Sequence, residues 1–178
     1  MREMTVYGVS FDLVGKQPIV LLKTADGNTF LPIWIGHSEA AAILMKLQGS
    51  DPARPLTHDL ACSIVSSLDG EIAKVTVTEL RDDTFHASIT LVRNGTEIEV
   101  DSRTSDAIAL ALRAEARIYA ADVVIQESGV EFEGDEPDLE RAQTVRGLGE
   151  IDMGEFRRFL DTVNPDEFAV GDDPPDKS

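Results

Sequence analysis

Two short polar segments of the sequence hold side chains that could transfer protons and bind phosphate. Arg54, His58 and Asp59 lie in the first segment, and Arg103 and Asp106 lie in the second. An imidazole can act as a general acid or base, and a guanidinium can bind two oxygens of a phosphate or carboxylate. If the segments converge, they predict acid–base chemistry on an anionic substrate, with His58, Asp59 and Asp106 as catalytic groups and both arginines as clamps.

Further oxygen ligands accompany these segments. Asp59, Asp101 and Asp106 could together hold Mg²⁺ or Mn²⁺, and the metal could activate water against a phosphodiester. Glu39 is a further catalytic candidate, and the Ser105 hydroxyl is a candidate substrate contact. A plainer interpretation stays open for each acid, because a carboxylate in the first turn of a helix also stabilises the helix dipole.

Other catalytic mechanisms find little support in the sequence. It contains no GxxxxGK[ST], GxGxxG, HExxH, CxxC or GxSxG motif. The single cysteine, Cys62, is interpreted as a small buried side chain in a reducing compartment. There is neither a secretory signal nor an apolar run near the roughly 20 residues of a membrane span, so we expect a cytoplasmic protein without membrane contact.

The charge of the chain argues against nucleic acid as a partner. The 178 residues include 16 bases and 33 acids, for a net charge of −17. Proteins that hold DNA or RNA usually neutralise phosphates with clustered Lys and Arg. The excess of acid is greatest at the C-terminal end, where residues 131–178 carry 15 acids and 5 bases. Long-range attraction is therefore excluded, although a local basic patch is not.

Three helices are predicted to position the candidate side chains. Apolar residues recur at helical spacing over residues 39–48, 58–68 and 105–114. A hydroxyl side chain that could cap each helix precedes it: Ser38, Thr57 and Thr104. Gly49 fits a left-handed stop after the first helix. The predicted core face of the second helix is Leu60, Ile64, Val65 and Leu68.

Alternating or β-branched stretches predict seven strands. They cover residues 5–13, 18–24, 29–35, 72–80, 85–92, 97–101 and 118–125. Asp26-Gly27 and Asn94-Gly95 predict hairpins between neighbouring strands. In the sixth strand, Ile98 and Val100 are predicted to point inward. The order of elements predicts an α+β fold with a mixed, mainly antiparallel sheet and about three packed helices.

The chain is predicted to have two parts. Residues 1–130 form the body, and residues 131–178 form an acidic extension with one short amphipathic helix, Met153–Val163. Its apolar residues follow helical spacing: Phe156, Phe159, Leu160 and Val163. A helix of this length is not stable alone in water. It should therefore dock, either on this body or on a protein partner.

Three blocks of the sequence are similar to the bifunctional nuclease domain family. They are LPIWIGHSEAAAI (Leu31–Ile43), RPLTHDL (Arg54–Leu60) and DSRTSDAIALALR (Asp101–Arg113). The resemblance covers about residues 7–124. It implies an α+β body, a homo-oligomer and cleavage of both DNA and RNA. The family commonly has Pro where this chain has Thr104.

Two hypotheses for function follow. The first is a nuclease that hydrolyses phosphodiester bonds of DNA and RNA, with a divalent metal as a candidate cofactor. The second is a non-catalytic regulatory module in which the same pocket binds a small anionic ligand, or which contacts a protein partner through the C-terminal helix. The resemblance favours the first hypothesis, and the charge favours the second.

Overall fold

One mixed sheet forms the body of the protein in a computed structural model that describes residues 1–12, 17–50 and 52–131. Its strands are β1 (Arg2–Asp12), β2 (Gln17–Thr24), β3 (Thr29–Trp34), β4 (Gly70–Arg81), β5 (Thr84–Arg93), β6 (Thr96–Arg103), β7 (Arg117–Ala120) and β8 (Val130–Glu131). The helices are α1 (His37–Leu47), α2 (Thr57–Ser67), α3 (Thr104–Ala114) and α4 (Asp122–Ser128). The strand order is β6-β5-β4-β7-β1-β2-β3-β8, and only β4 and β7 pair in parallel. The predicted α+β class is confirmed.

A single hydrophobic core joins the sheet to three of the helices. Ile43 of α1, Ile108 of α3 and Val124 of α4 are fully buried, together with Val75 and Val77 of β4. Complete burial of an aliphatic side chain contributes about 1.5–3 kcal/mol, so these contacts hold α1 and α3 firmly on the sheet. By contrast, α2 contributes no buried residue.

The predicted turns are confirmed. The β5–β6 hairpin turns at Asn94 and Gly95, whose φ angles are 51° and 76°. Gly49 follows α1 with a φ of 67°. Glycine and asparagine adopt these left-handed angles at low cost, and this is why turns are readable from local sequence.

The predicted N-caps are wrong. Ser38 and Thr57 lie inside the first turns of α1 and α2, and Gly36 and Leu56 occupy the cap positions. The third candidate, Thr104, is the first residue of α3, and its hydroxyl donates to the carbonyl oxygen of Phe85 at 2.9 Å. The three entrances are therefore held by contacts other than those of hydroxyl caps.

Two apolar faces were predicted to point inward and instead lie at the surface. The large apolar residues exposed on the first face are Leu60 and Ile64 of α2 and Leu68 directly after it, and those exposed on β6 are Ile98 and Val100. Val65 is half-buried against the core, as predicted. Because β6 is an edge strand and α3 packs over β4 and β5, no helix of the described residues covers Ile98 and Val100.

The predicted last strand, residues 118–125, is wrong in its second half. The strand β7 ends at Ala120, where the amide of Ala121 donates to the carbonyl oxygen of Val77, and α4 begins at Asp122. The β-branched residues of this stretch suggested a strand. Tertiary burial of Val124 and Ile125 on one side of a helix overrides that propensity.

The predicted helix at 153–163 lies outside the described residues. Within the residues that the structure does describe, none of the helices has the length and apolar character needed to cross a membrane.

Candidate functional site

The first turns of three helices meet at one place on the molecule. Glu39 lies in the first turn of α1, His58 in the first turn of α2 and Asp106 in the first turn of α3. Arg103 occupies the N-cap position of α3. The N-terminal end of a helix carries partial positive charge and unpaired backbone N–H groups. Three such ends therefore favour negative charge here, even though the chain as a whole is acidic.

A chain of polar contacts joins these four side chains, which we call the polar tetrad: Glu39, His58, Arg103 and Asp106. His58 Nε2 lies 3.1 Å from Asp106 Oδ1. Arg103 donates from Nε to Asp106 Oδ2 at 2.7 Å and from Nη2 to Asp106 Oδ1 at 3.2 Å. Arg103 Nη2 also lies 2.8 Å from Glu39 Oε1. The two polar segments of the sequence thus form one site.

A cavity of about 630 Å³ opens beside the polar tetrad. All four tetrad residues line it, with Ser38 and Thr57 as further polar groups. The remaining lining is apolar: Ala41, Ala42, Met45, Leu56, Ala61 and Leu110. This volume is typical of small-molecule sites, in which a few polar groups orient a ligand against apolar walls.

The electrostatics of the tetrad keep its acids ionised. Burial disfavours the charged form of Asp106, but hydrogen bonds from Arg103 and His58 outweigh it and place the pKa of Asp106 below its ordinary value. Burial likewise opposes ionisation of Glu39, yet its backbone, Ser38 and Arg103 lower its pKa overall. The hydrogen bonds that Arg103 donates to Asp106, followed by the charges of both acids, raise the pKa of Arg103. An ionised Asp106 can accept a hydrogen bond from the His58 ring and so hold that ring in one orientation.

Asp59 takes a different role from its neighbour His58. Its Oδ2 accepts the backbone N–H of Leu56 at 2.8 Å, and its Oδ1 lies 2.5 Å from Arg113 Nε. The pKa of Asp59 is lowered because these hydrogen bonds outweigh burial, which acts in the opposite direction. Asp59 therefore secures the start of α2 against α3.

Arg113 is the residue that sequence reasoning missed. Its side chain is only 7% exposed, and it also donates to the carbonyl oxygens of Ala109 in α3 and Ala42 in α1. It thus connects all three helices. Its spacing could have indicated this role. Leu110 lies four residues after Asp106 and Arg113 three residues after Leu110, so all three share one face of α3.

The other predicted site residues lie away from the cavity lining. Arg54 is exposed in the loop before α2, and Asp101 is exposed on β6, where it pairs with Ser88. Ser105 is buried, with 8% exposure. Of the eight predicted residues, the structure brings Glu39, His58, Arg103 and Asp106 together at the cavity and leaves these three and Asp59 outside its lining.

The carboxylates proposed as metal ligands do not form a common set of donors. Asp59 binds Arg113, Asp106 binds Arg103, and Asp101 belongs to the edge strand. Throughout residues 1–12, 17–50 and 52–131, no group of three His, Cys, Asp or Glu side chains is arranged to hold an ion. These residues therefore do not fit a three-carboxylate metal centre.

The fold and site define an α+β domain with a cavity that the polar tetrad lines, at the first turns of three helices. The model of the bifunctional nuclease domain matches residues 20–133, and the chain belongs to that family. Two curated proteins from two strains of Mycobacterium tuberculosis, both named as uncharacterised, are each 40% identical to it over 170 residues. Each match covers 96% of this chain and 99% of the relative, so the similarity extends into the acidic extension.

Proposed function

We propose that this protein is a nuclease that hydrolyses phosphodiester bonds of DNA and RNA, with His58 as the proton-transferring group. The observation that carries the proposal is the 3.1 Å contact between His58 Nε2 and Asp106 Oδ1 at the edge of the cavity. We assign the Nε2 proton to this hydrogen bond, which leaves Nδ1 of the neutral ring as the proton acceptor. Family membership supports the reaction class.

Arg103 would bind the scissile phosphate. Its side chain is 68% exposed, and the contacts with Glu39 and Asp106 use Nε and Nη2. Among the described residues no contact uses Nη1, so its two N–H groups are available to phosphate oxygens. The two carboxylates hold the guanidinium in place before substrate arrives, which is how preorganised donors stabilise developing negative charge.

The reaction would proceed by attack of water on phosphorus. Nδ1 of His58 accepts a proton from the attacking water as the new P–O bond forms. Arg103 stabilises the negative charge on the phosphoryl oxygens while the bond to the leaving oxygen breaks. The protonated imidazole then returns its proton to the leaving oxygen or to solvent, and Asp106 stabilises its transient charge.

The test is a nuclease assay on highly purified protein with single-stranded DNA, duplex DNA and RNA. His58→Ala and Asp106→Asn should each lower the rate by about 10²–10⁴-fold, the usual contribution of acid–base catalysis. Asp26→Asn is the matched control, because Asp26 is exposed in the turn between β2 and β3 and does not line the cavity. Circular dichroism should show that every variant is folded.

Activity that survives both His58→Ala and Asp106→Asn would overturn the proposal and indicate a contaminating enzyme. Parallel reactions with Mg²⁺, Mn²⁺ or EDTA test the predicted metal dependence. Loss of activity in EDTA with recovery on adding Mn²⁺ would support a metal cofactor bound by groups other than the three carboxylates.

A second candidate function is the binding of a small anionic ligand without catalysis. The mainly apolar cavity and the net charge of −17 favour it, because both suit a compact ligand better than a long polyanion. Calorimetric measurement of nucleoside monophosphate binding would distinguish this candidate function from the nuclease. Binding that is lost in Arg103→Met, without hydrolysis of any polymer by the unmodified protein, would support this candidate.

A further inference from the structure

The outer surface of α2 carries an uncovered apolar stripe. Leu60, Ile64 and, directly after the helix, Leu68 are 54%, 51% and 57% exposed. Their spacing of four residues places them in one row along α2. We call these three residues the α2 stripe.

The composition around the α2 stripe is that of a covered surface. From Leu60 to Leu68 the chain contains no charged residue, and the other outward positions are serines: Ser63, Ser66 and Ser67. A helix that faces water normally carries charged side chains on its outer face. Large apolar side chains grouped on an exposed surface commonly mark a site of contact with another segment or protein.

We infer that residues Met153–Val163 of the same chain dock on the α2 stripe. This segment has four apolar residues at helical spacing: Phe156, Phe159, Leu160 and Val163. At 1.5 Å per residue in a helix, Phe156 to Val163 would span about 10 Å, and Leu60 to Leu68 spans about 12 Å. The two apolar rows are therefore matched in length as well as in chemistry.

The chain between the two surfaces is long enough. The described part ends at Glu131 of β8, and 22 residue steps separate it from Met153. An extended chain of that length reaches about 70 Å. The full width of the eight-stranded sheet is about 34 Å at 4.8 Å per strand spacing. Because α2 packs on α3 and β4, inside that width, the segment can reach it from the β8 edge of the sheet.

A segment of the same chain suits the α2 stripe better than a second copy does. Three half-exposed side chains can bury far less surface area than the roughly 800 Å² that each partner of a stable complex buries. A tethered segment needs less contact area, because its effective concentration is about millimolar. Docking would also stabilise α2 itself, whose first turn holds His58.

Trypsin provides a direct probe, because it cleaves after Arg157 and Arg158 inside the proposed docking segment. In the full-length protein, Ile64→Glu should speed cleavage at these bonds by about tenfold or more, since opening of the docked state controls access. Val163→Glu, which changes the same apolar row at a distance from both cleaved bonds, should have the same effect from the other side of the contact. Ser66→Glu, which adds the same charge to a polar position of α2, should leave the cleavage rate unchanged.

Mass spectrometry identifies the cleaved bonds, and light scattering reports the mass of each variant. The inference would be overturned if Ile64→Glu were cleaved after Arg157 and Arg158 at the same rate as the unmodified protein. A multimer that dissociates in Ile64→Glu but not in Val163→Glu would also overturn it, because a second copy would then cover the α2 stripe.

Discussion

Arg113 joins three helices through one nearly buried guanidinium. Its partners are the Asp59 carboxylate and the carbonyl oxygens of Ala109 and Ala42. Removing the guanidinium takes a charged donor from the partly buried Asp59 carboxylate and an additional donor from each carbonyl, and the loss of a hydrogen bond to a charged group is costly. Asp59 is 30% exposed, so water would compensate for part of the loss.

We predict that Arg113→Met lowers the free energy of unfolding by about 2 kcal/mol, as measured by urea denaturation. Arg113→Lys should recover little of this loss, because an ammonium group cannot reproduce the planar arrangement of donors. Arg93→Met is the control, since Arg93 is exposed at the end of β5. Equal effects of Arg113→Met and Arg93→Met would contradict the role assigned to Arg113.

The lowered pKa of Asp59 predicts a pH dependence of stability. A carboxyl group with a lower pKa in the folded state stabilises the fold fully above its unfolded pKa. That contribution disappears as the pH falls through the folded pKa. The difference in unfolding free energy between the unmodified protein and Asp59→Asn should therefore be largest above about pH 5 and shrink on acidification.

Urea denaturation at a series of pH values measures this difference. The same comparison in an Arg113→Met background should show a smaller dependence on pH, because Arg113 contributes to the lowered pKa of Asp59. A difference that grows as the pH falls would have the wrong sign for this interaction.

The entrance of α3 depends on a hydroxyl that bonds to a neighbouring strand. Thr104 donates to the carbonyl oxygen of Phe85 in β5, and this contact fixes the start of the helix that carries Asp106. Thr104→Val keeps the shape and removes the donor, so we predict a loss of about 1 kcal/mol in unfolding free energy. Thermal or urea unfolding measures the change.

Thr57→Val is the matched control, because Thr57 is also the first residue of a helix but is exposed. It should change stability by less than about 0.5 kcal/mol. A loss at Thr104 no larger than that at Thr57 would mean that burial of the side chain, and not its hydrogen bond, holds the entrance of α3.

The charge of the whole molecule limits how nucleic acid can bind. Among the described residues that line the cavity, Arg103 is the one Lys or Arg side chain, and the chain carries a net charge of −17. Each neutralised phosphate contributes about 0.7–0.9 to the slope of log affinity against log salt. Asp106→Asn, which should cleave DNA slowly, allows binding of single-stranded DNA to be measured. We predict that its log affinity falls with log salt with a slope of about 1–2 in magnitude.

Fluorescence anisotropy over a range of salt concentrations measures this slope, and Arg103→Met should reduce it by about 1. A slope near 6–10 would indicate an extended basic track and would contradict a mode of binding centred on one arginine.

Local features of the fold were predictable from the sequence. The spacing of apolar residues located α1, α2 and α3, and Asn94-Gly95 located a hairpin, because these signals act over a few residues. The sequence also identified the tetrad residues as candidates, since charged and imidazole side chains are concentrated at the predicted helix entrances. Caps were less predictable, because hydroxyl groups such as that of Thr104 found partners on other elements.

Only the tertiary structure decided which candidates meet. His58 and Asp106 are 48 residues apart, and Asp59 and Arg113 are 54 residues apart, so no local pattern encodes either pair. The same holds for the outward face of α2, because periodicity gives the spacing of a stripe but not its direction. The sequence determined the helices and the residue types at their entrances. Packing on the sheet decided that His58 reaches Asp106 while Asp59 turns to Arg113, because a side chain's partner depends on how the elements are arranged in space.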